Sequence, residues 1–261
     1  QPAAESIGAL YPPSYSSFAG GAPPRTAAAR VARALVRAPY RLRYGNRDAA
    51  PPPASGSGRV LAGGGGPGQR LERRAGAGWE VWGLEPNAAA AAAARARLSL
   101  PEERIAVVSV EQAQLPPADF DLVTMSHVLE HLPGPVDVLR NVAHWLRPGG
   151  RLRIWLPNVE SLESRIFRRY WFGLDVPRHL YHFAPRTIEL ALERAGLSLV
   201  ELRPQLQASS LAGSVSHLAG AVRHRETTTH SSPGYYASLP VASLAAAAGG
   251  AAVMDVVAER R

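Results

Sequence analysis

The chain has 261 residues, of which 46% are hydrophobic and none is cysteine, and its formal net charge is +8. This composition indicates a globular protein and excludes disulfide frameworks, thiolate metal sites and cysteine nucleophiles. All 29 basic residues are arginine, which also excludes Schiff-base lysines and the lysine of a Walker-type phosphate loop.

The excess positive charge lies mostly near the beginning of the chain. Residues 1–60 carry eight Arg and two acids, a net charge of +6, whereas residues 61–261 carry 21 Arg and 19 acids, a net charge of +2. The basic residues are not accompanied by a nucleic-acid-binding motif. We therefore expect no nucleic-acid partner and interpret the excess charge as a property of an appendage.

That appendage is predicted to contain one helix between two irregular segments. Residues 1–24 are rich in Pro, Gly and Ser and indicate an extended arm, and residues 48–58 indicate a linker. Between them, the pattern of Thr26–Ala38 predicts a helix with three arginines on one face, ended by Pro39. This helix either packs on the main domain with its basic face in solvent, or contacts an anionic lipid or a phosphorylated substrate.

The chain is expected to be cytoplasmic, because its first residues do not form a secretory signal pattern. The uncharged run from Ser231 to Met254 is long enough to span a membrane, but eight of its 24 residues are alanine and it contains two Pro and three Gly. Such a composition disfavours a span. Peripheral contact with the inner face of the membrane, through this run and the basic helix, is the open alternative.

From Arg59 onward, short apolar runs alternate with helical patterns. Strands are predicted at 59–62, 79–84, 105–109, 120–125, 151–156, 197–202 and 252–258. Helices are predicted at 69–75, 87–98, 135–146 and 185–195, and residues 205–250 have an irregular pattern that we assign to no element. Strands separated by helices predict a mostly parallel sheet covered on both faces.

The strongest chemical signal is a run of glycines where the first strand meets the first following helix. The sequence there is Gly63-Gly64-Gly65-Gly66-Pro67-Gly68, and Glu85 ends the second strand. Glycines let the backbone approach a ligand closely, and an acid about 20 residues later can accept hydrogen bonds from ribose hydroxyls. A flexible loop and a helix-capping role for Glu85 are the alternatives, but together the two signals favour a nucleoside-type cofactor.

Further motifs distinguish between cofactors, because Gly63, Gly65 and Gly68 also match the dinucleotide-binding pattern. The additional strings are Val60-Leu61-Ala62, Gly83-Leu84-Glu85-Pro86, Phe120-Asp121-Leu122-Val123, His127-Val128-Leu129-Glu130-His131-Leu132 and Leu146-Arg147-Pro148-Gly149-Gly150. With the glycine run, they resemble in order and spacing the class I S-adenosylmethionine-dependent methyltransferases. The segments 11–15 and 171–183 look like a bacterial branch associated with cell-surface glycan and secondary-metabolite pathways, close to methyltransferase types 11 and 23 and the ubiquinone-pathway O-methyltransferases.

This resemblance implies an α/β fold: a Rossmann-like, seven-stranded, mostly parallel sheet with helices on both faces and an antiparallel last strand. Residues 1–58 would form the arm, helix and linker, residues 59–204 the cofactor-binding core, and residues 205–261 a C-terminal elaboration that ends in the last strand. The implied function is S-adenosylmethionine-dependent methylation, with O-methylation of a small-molecule or glycan-linked acceptor preferred.

The resemblance also implies a cofactor site, position by position. The cofactor's methionine end would lie over Gly64, Gly66 and Gly68, its ribose on Glu85, its adenine beside Ser109 and Val110, and its methyl group near Ser126 and His127. The family usually has an acid where this chain has Ala62. A catalytically impaired methyltransferase fold is therefore an alternative, and an NAD(P)-dependent oxidoreductase is a further one.

Histidines are the natural bases for methylation of a hydroxyl group. The candidates are His127, His131, His179 and His182, where His131 follows His127 at the spacing of one helical turn. Packing roles are the alternative for each of them. The string from His127 to His131 also matches the inverted zinc-protease pattern, which its place at a strand end disfavours. We predict no metal site, although a divalent ion on Glu130 and His131 stays an alternative.

The segment 171–183 is rich in aromatic, charged and histidine residues and follows the fifth predicted strand. Loops at strand ends are where such folds bind ligands. We therefore predict an acceptor site there, although a structural loop that packs its aromatic residues on the sheet edge is the alternative. The predicted acceptor residues are Trp171, Asp175, Arg178, His179 and His182.

Overall fold

The computed structural model describes residues 34–44, 58–223 and 233–261, without the side chains of residues 221–237. Within these ranges the strands are β1 Gly58–Gly63, β2 Trp79–Leu84, β3 Ile105–Ala106, β4 Phe120–Ser126, β5 Leu146–Pro157, β6 Leu197–Gln205 and β7 Val253–Arg260. The α-helices of the same ranges are α1 Ala38–Tyr44, α2 Gln69–Ala75, α3 Ala88–Leu98, α4 Pro135–Trp145, α5 Leu162–Phe167, α6 Pro185–Arg194, α7 Ala208–Arg223 and α8 Pro233–Ala247.

The strands form one seven-stranded sheet in the order β3-β2-β1-β4-β5-β7-β6. The five strands from β3 to β5 pair in parallel, and the last strand runs antiparallel between β5 and β6. The predicted sheet is therefore confirmed. The strand order reverses direction between β1 and β4, and open α/β sheets bind their ligands at such a switch point.

The chain divides into two compact units. One comprises the described part of residues 48–156 together with residues 185–202 and 255–261, and contains most of the sheet. We call it the sheet unit. The other comprises the described parts of residues 1–47 and 203–254 together with residues 157–184, and we call it the helical unit.

The core of the sheet unit packs β1 and β2 against α2 and α3. Val60 on β1 and Leu71 on α2 are fully buried, and the buried face of α3 consists of alanines. These small side chains let the turn before α2 approach α3, because a Cβ built on Gly68 would lie 3.0 Å from both Cα and Cβ of Ala94. The polyalanine sequence of α3 therefore supports the placement of the glycine turn.

The helical unit contains two helices in a segment where the sequence pattern predicts no element. Residues 208–223 and 233–247 form α7 and α8, and Leu239, Ala242 and Ala246 of α8 are buried at helical spacing. Their periodicity is weak in the sequence because alanine and serine occupy both buried and exposed positions. Such helices gain most of their stability from tertiary packing.

Among the described residues, no helix is both long and apolar enough to cross a membrane.

Two predicted boundaries are wrong. The helix predicted to end at Ala38 ends at Val36, with a turn at Arg37, and Pro39 then stands in the first turn of α1, where its missing N–H costs no helical hydrogen bond. The predicted strand at 105–109 stops at Ala106, because the carbonyl group of Ser109 accepts hydrogen bonds from the amides of Gln112 and Ala113 in a turn. The arm at 1–24, most of the first predicted helix (26–33) and nearly all of the linker lie outside the described residues.

A buried carboxyl group links α5 to α7 in the helical unit. The side chain of Glu163 accepts a hydrogen bond of 2.7 Å from Oγ of Ser210, and the residue is only 7% exposed. Burial raises the pKa of Glu163 from 4.5 to about 7, and the bond from Ser210 opposes this shift. The folded protein therefore holds this proton to higher pH than the unfolded chain does.

We expect Glu163→Gln to remove a pH dependence of stability. The wild type should lose about 3 kcal/mol of unfolding free energy as the pH rises from 4.5 to 7, because its folded state must then ionise a buried group. The variant should not show this loss. Denaturant titrations at several pH values measure it, with the exposed Glu160→Gln as control. Parallel curves for the wild type and Glu163→Gln would contradict the expectation.

Candidate active site

The glycine turn is held by the end of β2. The amides of Gly64 and Gly65 donate hydrogen bonds of 2.9 and 3.3 Å to the carbonyl oxygen of Leu84, and the amide of Gly66 donates one of 2.7 Å to Oε2 of Glu85. Gly64, Gly66 and Gly68 all have positive φ, a conformation that favours glycine. The three glycines predicted to hold the cofactor are therefore the positions where the backbone requires glycine.

Glu85 is buried directly behind this turn. It is only 4% exposed, and its Oε1 accepts a hydrogen bond of 2.9 Å from the amide of Asn87. Burial raises its pKa above the ordinary value, and the bonds from Asn87 and Gly66 oppose the shift. A carboxylate has about four acceptor positions. Two amide donors therefore leave Glu85 able to accept hydrogen bonds from a ligand as well.

Two valines press against the glycine turn from the neighbouring strand ends. A Cβ on Gly64 would overlap Cγ2 of Val128, and one on Gly63 would lie 2.8 Å from Cγ2 of Val110. Gly66 differs, because the position of its Cβ has no heavy atom within 4 Å. The turn is thus closed by valines on one side and open at Gly66. An open surface of the turn at Gly66, beside a buried acid, fits a ligand that contacts both the turn and Glu85.

The end of β4 carries the best-defined candidate base. Ser126 is in register with Trp155, and the amide of His127 donates a hydrogen bond of 2.8 Å to the carbonyl oxygen of Trp155. The φ of His127 is +54°, which is uncommon for a residue other than glycine and often marks functional sites. This turn places the histidine directly after the strand that neighbours β1.

The imidazole of His127 is paired with a buried acid. Its Nδ1 lies 3.1 Å from Oε1 of Glu130, which is only 1% exposed. A proton on Nδ1 that is donated to this carboxylate leaves the lone pair of the neutral ring on Nε2. The carboxylate also stabilises the imidazolium that forms when Nε2 takes up a proton. This pair has the arrangement of a general base and the acid that orients it.

His131 does not lie one helical turn after His127. The chain leaves β4 in the left-handed conformation at His127, and His131 ends a short 3₁₀ helix that spans Leu129–His131. The expectation of one shared helix is therefore wrong. The reason is local: a helix from His127 would require right-handed backbone angles at that residue.

The segment 171–183 lies in the helical unit and is fixed by its own side chains. Arg178 makes a bidentate ion pair with Asp175. One ring nitrogen of His179 and one of His182 each lie 2.8 Å from a backbone carbonyl oxygen, that of Gly173 for His179 and that of Leu174 for His182. A nitrogen that donates to a carbonyl carries the proton, which sets the tautomer of the neutral ring.

Aromatic rings of this segment fill the space over two glycines. A Cβ on Gly173 would overlap the ring of Trp171, and one on Gly213 of α7 would overlap the ring of Phe172. The amide of Phe172 also donates a hydrogen bond of 2.9 Å to Oγ of Ser214. Trp171 is thus a buried packing residue, while Asp175, Arg178, His179 and His182 are partly exposed.

The predicted site residues are divided between the two units. The sheet unit contains all predicted cofactor residues (Gly64, Gly66, Gly68, Glu85, Ser109, Val110, Ser126 and His127) and also His131. The helical unit contains the predicted acceptor residues Trp171, Asp175, Arg178, His179 and His182.

Sequence reasoning missed Val128 and the pairing role of Glu130. Val128 has no chemical signature, since its role is to occupy the space next to Gly64. The sequence pattern indicates Glu130 only as a possible metal ligand. Its spacing of three residues from His127 was the available signal for their contact.

Ala62 lies at the position where an acid was expected. It is buried in β1, in register with Gly83 on one side and Thr124 on the other. The glycine turn is nevertheless ordered, because Leu84 and Glu85 supply the acceptors for its amides. Leu84 and Glu85 therefore orient the glycine turn without an acid at position 62.

Comparison with known proteins identifies the family. A family model described as "Methyltransferase domain" matches residues 28–202, about two thirds of the chain. The chain belongs to this methyltransferase family. The predicted class, the S-adenosylmethionine-dependent methyltransferases of class I, and the predicted cofactor are thereby confirmed.

Curated relatives of this methyltransferase include two proteins named "Ubiquinone biosynthesis O-methyltransferase". The one from Azoarcus sp. (strain BH72) is 33% identical over 133 residues, which cover 49% of this chain and 54% of the relative. The one from Xanthomonas euvesicatoria pv. vesicatoria (strain 85-10) is 30% identical over 107 residues, which cover 38% and 45%. The methyltransferase thus spans about half the length of these relatives.

Solved structures show the same fold. The crystal structure of an S-adenosylmethionine-dependent methyltransferase from Mesorhizobium loti matches with a TM-score of 0.53 and 18% identity, over 80% of this chain and 93% of that one. At this identity the similarity concerns the fold of the methyltransferase alone.

Proposed function

We propose that the chain transfers a methyl group from S-adenosylmethionine to a hydroxyl group of a small-molecule or glycan-linked acceptor. The observation that carries the proposal is the hydrogen bond between His127 and the buried Glu130, at the end of the strand next to β1. A hydroxyl group must lose its proton on methylation, and a histidine held by an acid is suited to take it. The names of the curated relatives also support transfer to oxygen.

The residues of the sheet unit would divide the work as follows. The glycine turn at Gly64, Gly66 and Gly68 would lie under the cofactor's methionine end and Glu85 would hold its ribose, with Ser109 and Val110 beside its adenine. The bound cofactor supplies a methyl group on a sulfonium, which is electrophilic. Nε2 of His127 would take up the hydroxyl proton of the acceptor as the acceptor oxygen receives the methyl group. Ser126 would lie next to the methyl group of the cofactor, beside His127.

Binding of the acceptor by the segment 171–183 stays part of the proposal. Arg178 already pairs with Asp175, so an anionic acceptor would share the guanidinium group with that carboxylate. His179 and His182 are the candidate bases of this segment, and His131 is the further candidate of the sheet unit. Each of these three histidines is an alternative to His127 as the general base, and a substitution at its position tests that role.

Two experiments test the proposal. Calorimetric titration should show binding of S-adenosylhomocysteine and none of NADH; binding of NADH alone would refute a methyltransferase function. With acceptors drawn from a panel of phenols and sugars, His127→Ala should lower turnover at least about a hundredfold and leave S-adenosylhomocysteine affinity nearly unchanged. A similar loss of turnover in His182→Ala but not in His127→Ala would assign the general base to the segment 171–183 instead.

The second candidate function is a methyltransferase fold with impaired catalysis, and Ala62 is the observation that favours it. An acid at this position would contact the methionine amine of the cofactor. Loss of such a contact costs about 1–3 kcal/mol, which weakens binding by about fivefold to a hundredfold. Calorimetry that shows binding of neither S-adenosylhomocysteine nor NADH would favour this function.

We expect Ala62→Asp to tighten the binding of S-adenosylhomocysteine by about fivefold or more, because it restores an ionic contact to the cofactor's amine. The matched control is Ala62→Asn, which has a similar volume without the charge and should tighten binding much less. Isothermal titration calorimetry measures both. Unchanged affinity in a variant that folds normally would contradict the alignment of Ala62 with the family's acid.

Peripheral membrane contact stays a proposal of its own. It is supported by α1, where Leu42 is largely exposed between Arg41 and Arg43. Co-sedimentation with anionic vesicles at low salt tests it, and the absence of pelleting would exclude it.

A further inference from the structure

A cluster of arginines surrounds Trp155 in the sheet unit. The guanidinium carbon of Arg70 lies 4.8 Å from the centroid of the Trp155 ring, and that of Arg153 lies 4.7 Å from it. Arg153 also makes a bidentate ion pair with Asp255, with N–O distances of 2.6 and 2.8 Å. The indole ring therefore holds the guanidinium groups of Arg70 and Arg153 close together, and Asp255 is the ion-pair partner of Arg153.

Arg74 is the third member of this cluster and the most deeply buried. It lies one helical turn after Arg70 on α2, is only 6% exposed, and its buried Nη1 has no hydrogen-bond partner within the described ranges. Guanidinium groups are rarely buried without an acceptor, because the N–H groups lose their hydrogen bonds to water. An ordinary packing residue at this position of a helix would be apolar.

The charges that act on Arg74 are all positive. Burial, and after it the positive charges of Arg153, Arg70 and Arg73, lower the pKa of Arg74 to about 10. Two acids of the same region are already paired: Asp255 with Arg153, and Glu72 on α2 with Arg97 at 3.1 Å. Within the described residues, the cluster therefore carries a net positive charge that a bound anion would offset.

The sheet register places this cluster next to the cofactor region. Ala62 is in register with Thr124, and Thr124 with Arg153, so these three residues point to the same face of the sheet. Arg70 is the second residue of α2, which begins directly after the glycine turn. Arg70 is exposed and marks the end of the cluster that is open to solvent.

We propose that Arg74, together with Arg70 and Arg153, binds a small oxyanion, a carboxylate or phosphate group, beside the cofactor site. The planar N–H groups of arginine match the oxygens of these groups in pairs, and the buried position excludes competing water. The anion is either a free ion or a group carried by an organic acceptor. In the second case the inference rests on the proposed methyltransferase function.

The test compares two arginines of the same helix. Arg74→Met removes the buried charge, whereas Arg73→Met removes an equal charge that is exposed and whose Nε donates to the carbonyl oxygen of Gln69. Inorganic phosphate should raise the melting temperature of the wild type and of Arg73→Met. It should bind at least about tenfold more weakly to Arg74→Met, which should melt at or above the temperature of the anion-free wild type. Equal phosphate binding by Arg74→Met and the wild type would overturn the proposal.

Two further titrations identify the source of the oxyanion and separate this site from the cofactor site. Phenyl phosphate that binds more tightly than inorganic phosphate indicates an anion carried by an organic acceptor, whereas weaker binding indicates a free ion. Arg74→Met should bind S-adenosylhomocysteine like the wild type. If it loses that affinity in parallel with phosphate affinity, the arginines hold the carboxylate of the cofactor, and a separate site is refuted. Normal S-adenosylhomocysteine binding without phosphate binding in the wild type would overturn the oxyanion site alone.

Discussion

Gly64→Ala is expected to lower the free energy of unfolding by about 2–4 kcal/mol and to abolish cofactor binding. Two costs add up. The φ of Gly64 is +69°, which costs a residue with a Cβ about 1 kcal/mol, and the new methyl group would overlap Val128. Overpacking of this kind costs about 1–3 kcal/mol more. Denaturant unfolding measures the stability, and titration with S-adenosylhomocysteine measures the binding.

The chain offers a matched control for each of these costs. Gly66 also has positive φ, at +53°, but a Cβ there meets no heavy atom within 4 Å. Gly66→Ala should therefore lose only the conformational part, about 1 kcal/mol. The double variant Gly64→Ala/Val128→Ala should regain the steric part. Equal free energies of unfolding for Gly64→Ala and Gly66→Ala would show that overlap with Val128 adds no steric cost.

Glu85→Gln is expected to weaken the binding of S-adenosylhomocysteine by about a hundredfold. Glutamine keeps the volume but replaces a charged acceptor with a neutral group, one end of which is a donor. Hydrogen bonds to a charged group contribute about 1.5–3 kcal/mol, and tenfold in affinity corresponds to about 1.4 kcal/mol. Calorimetry measures the change, with Glu72→Gln on α2 as an exposed control. If Glu85→Gln binds S-adenosylhomocysteine within about threefold of the wild-type affinity, Glu85 does not contact the ribose.

The pH dependence of binding distinguishes a ribose contact from a structural role of Glu85. Because burial raises the pKa of Glu85, the wild type takes up a proton on this group at higher pH than an ordinary glutamate does. Ribose hydroxyls donate to the ionised form, so the affinity should fall as the pH is lowered through this raised pKa. Glu85→Gln should lose this dependence. A wild-type affinity that does not change over this range would contradict the contact.

The parts of the fold that the sequence predicted well are those fixed by short-range chemistry. The bounds of β2 and α2 agree with the prediction to the residue, and the glycine turn lies between β1 and α2 as expected. Glycines with positive φ and β-branched or apolar runs carry their signal within a few residues. Glu85 was found for the same reason, since it directly ends a buried strand.

The features that the sequence did not reveal depend on contacts across the chain. The helices α7 and α8 are built from small residues whose burial depends on a partner, so their periodicity is invisible without it. Arg74 looked like one more basic residue of α2, since only the folded structure buries it against the sheet. The pairing of His127 with Glu130 depends on a left-handed residue that no local rule predicts at histidine.

The contact between Phe172 and Gly213 joins two segments that are 40 or so residues apart within the helical unit. Because the ring occupies the space of a Cβ at Gly213, neither position can change size alone without overlap or an empty space. Evolution can therefore vary the two positions only together. Homologous chains with a larger residue at the position of Gly213 are expected to have a smaller one at the position of Phe172, so that substitutions there occur in pairs.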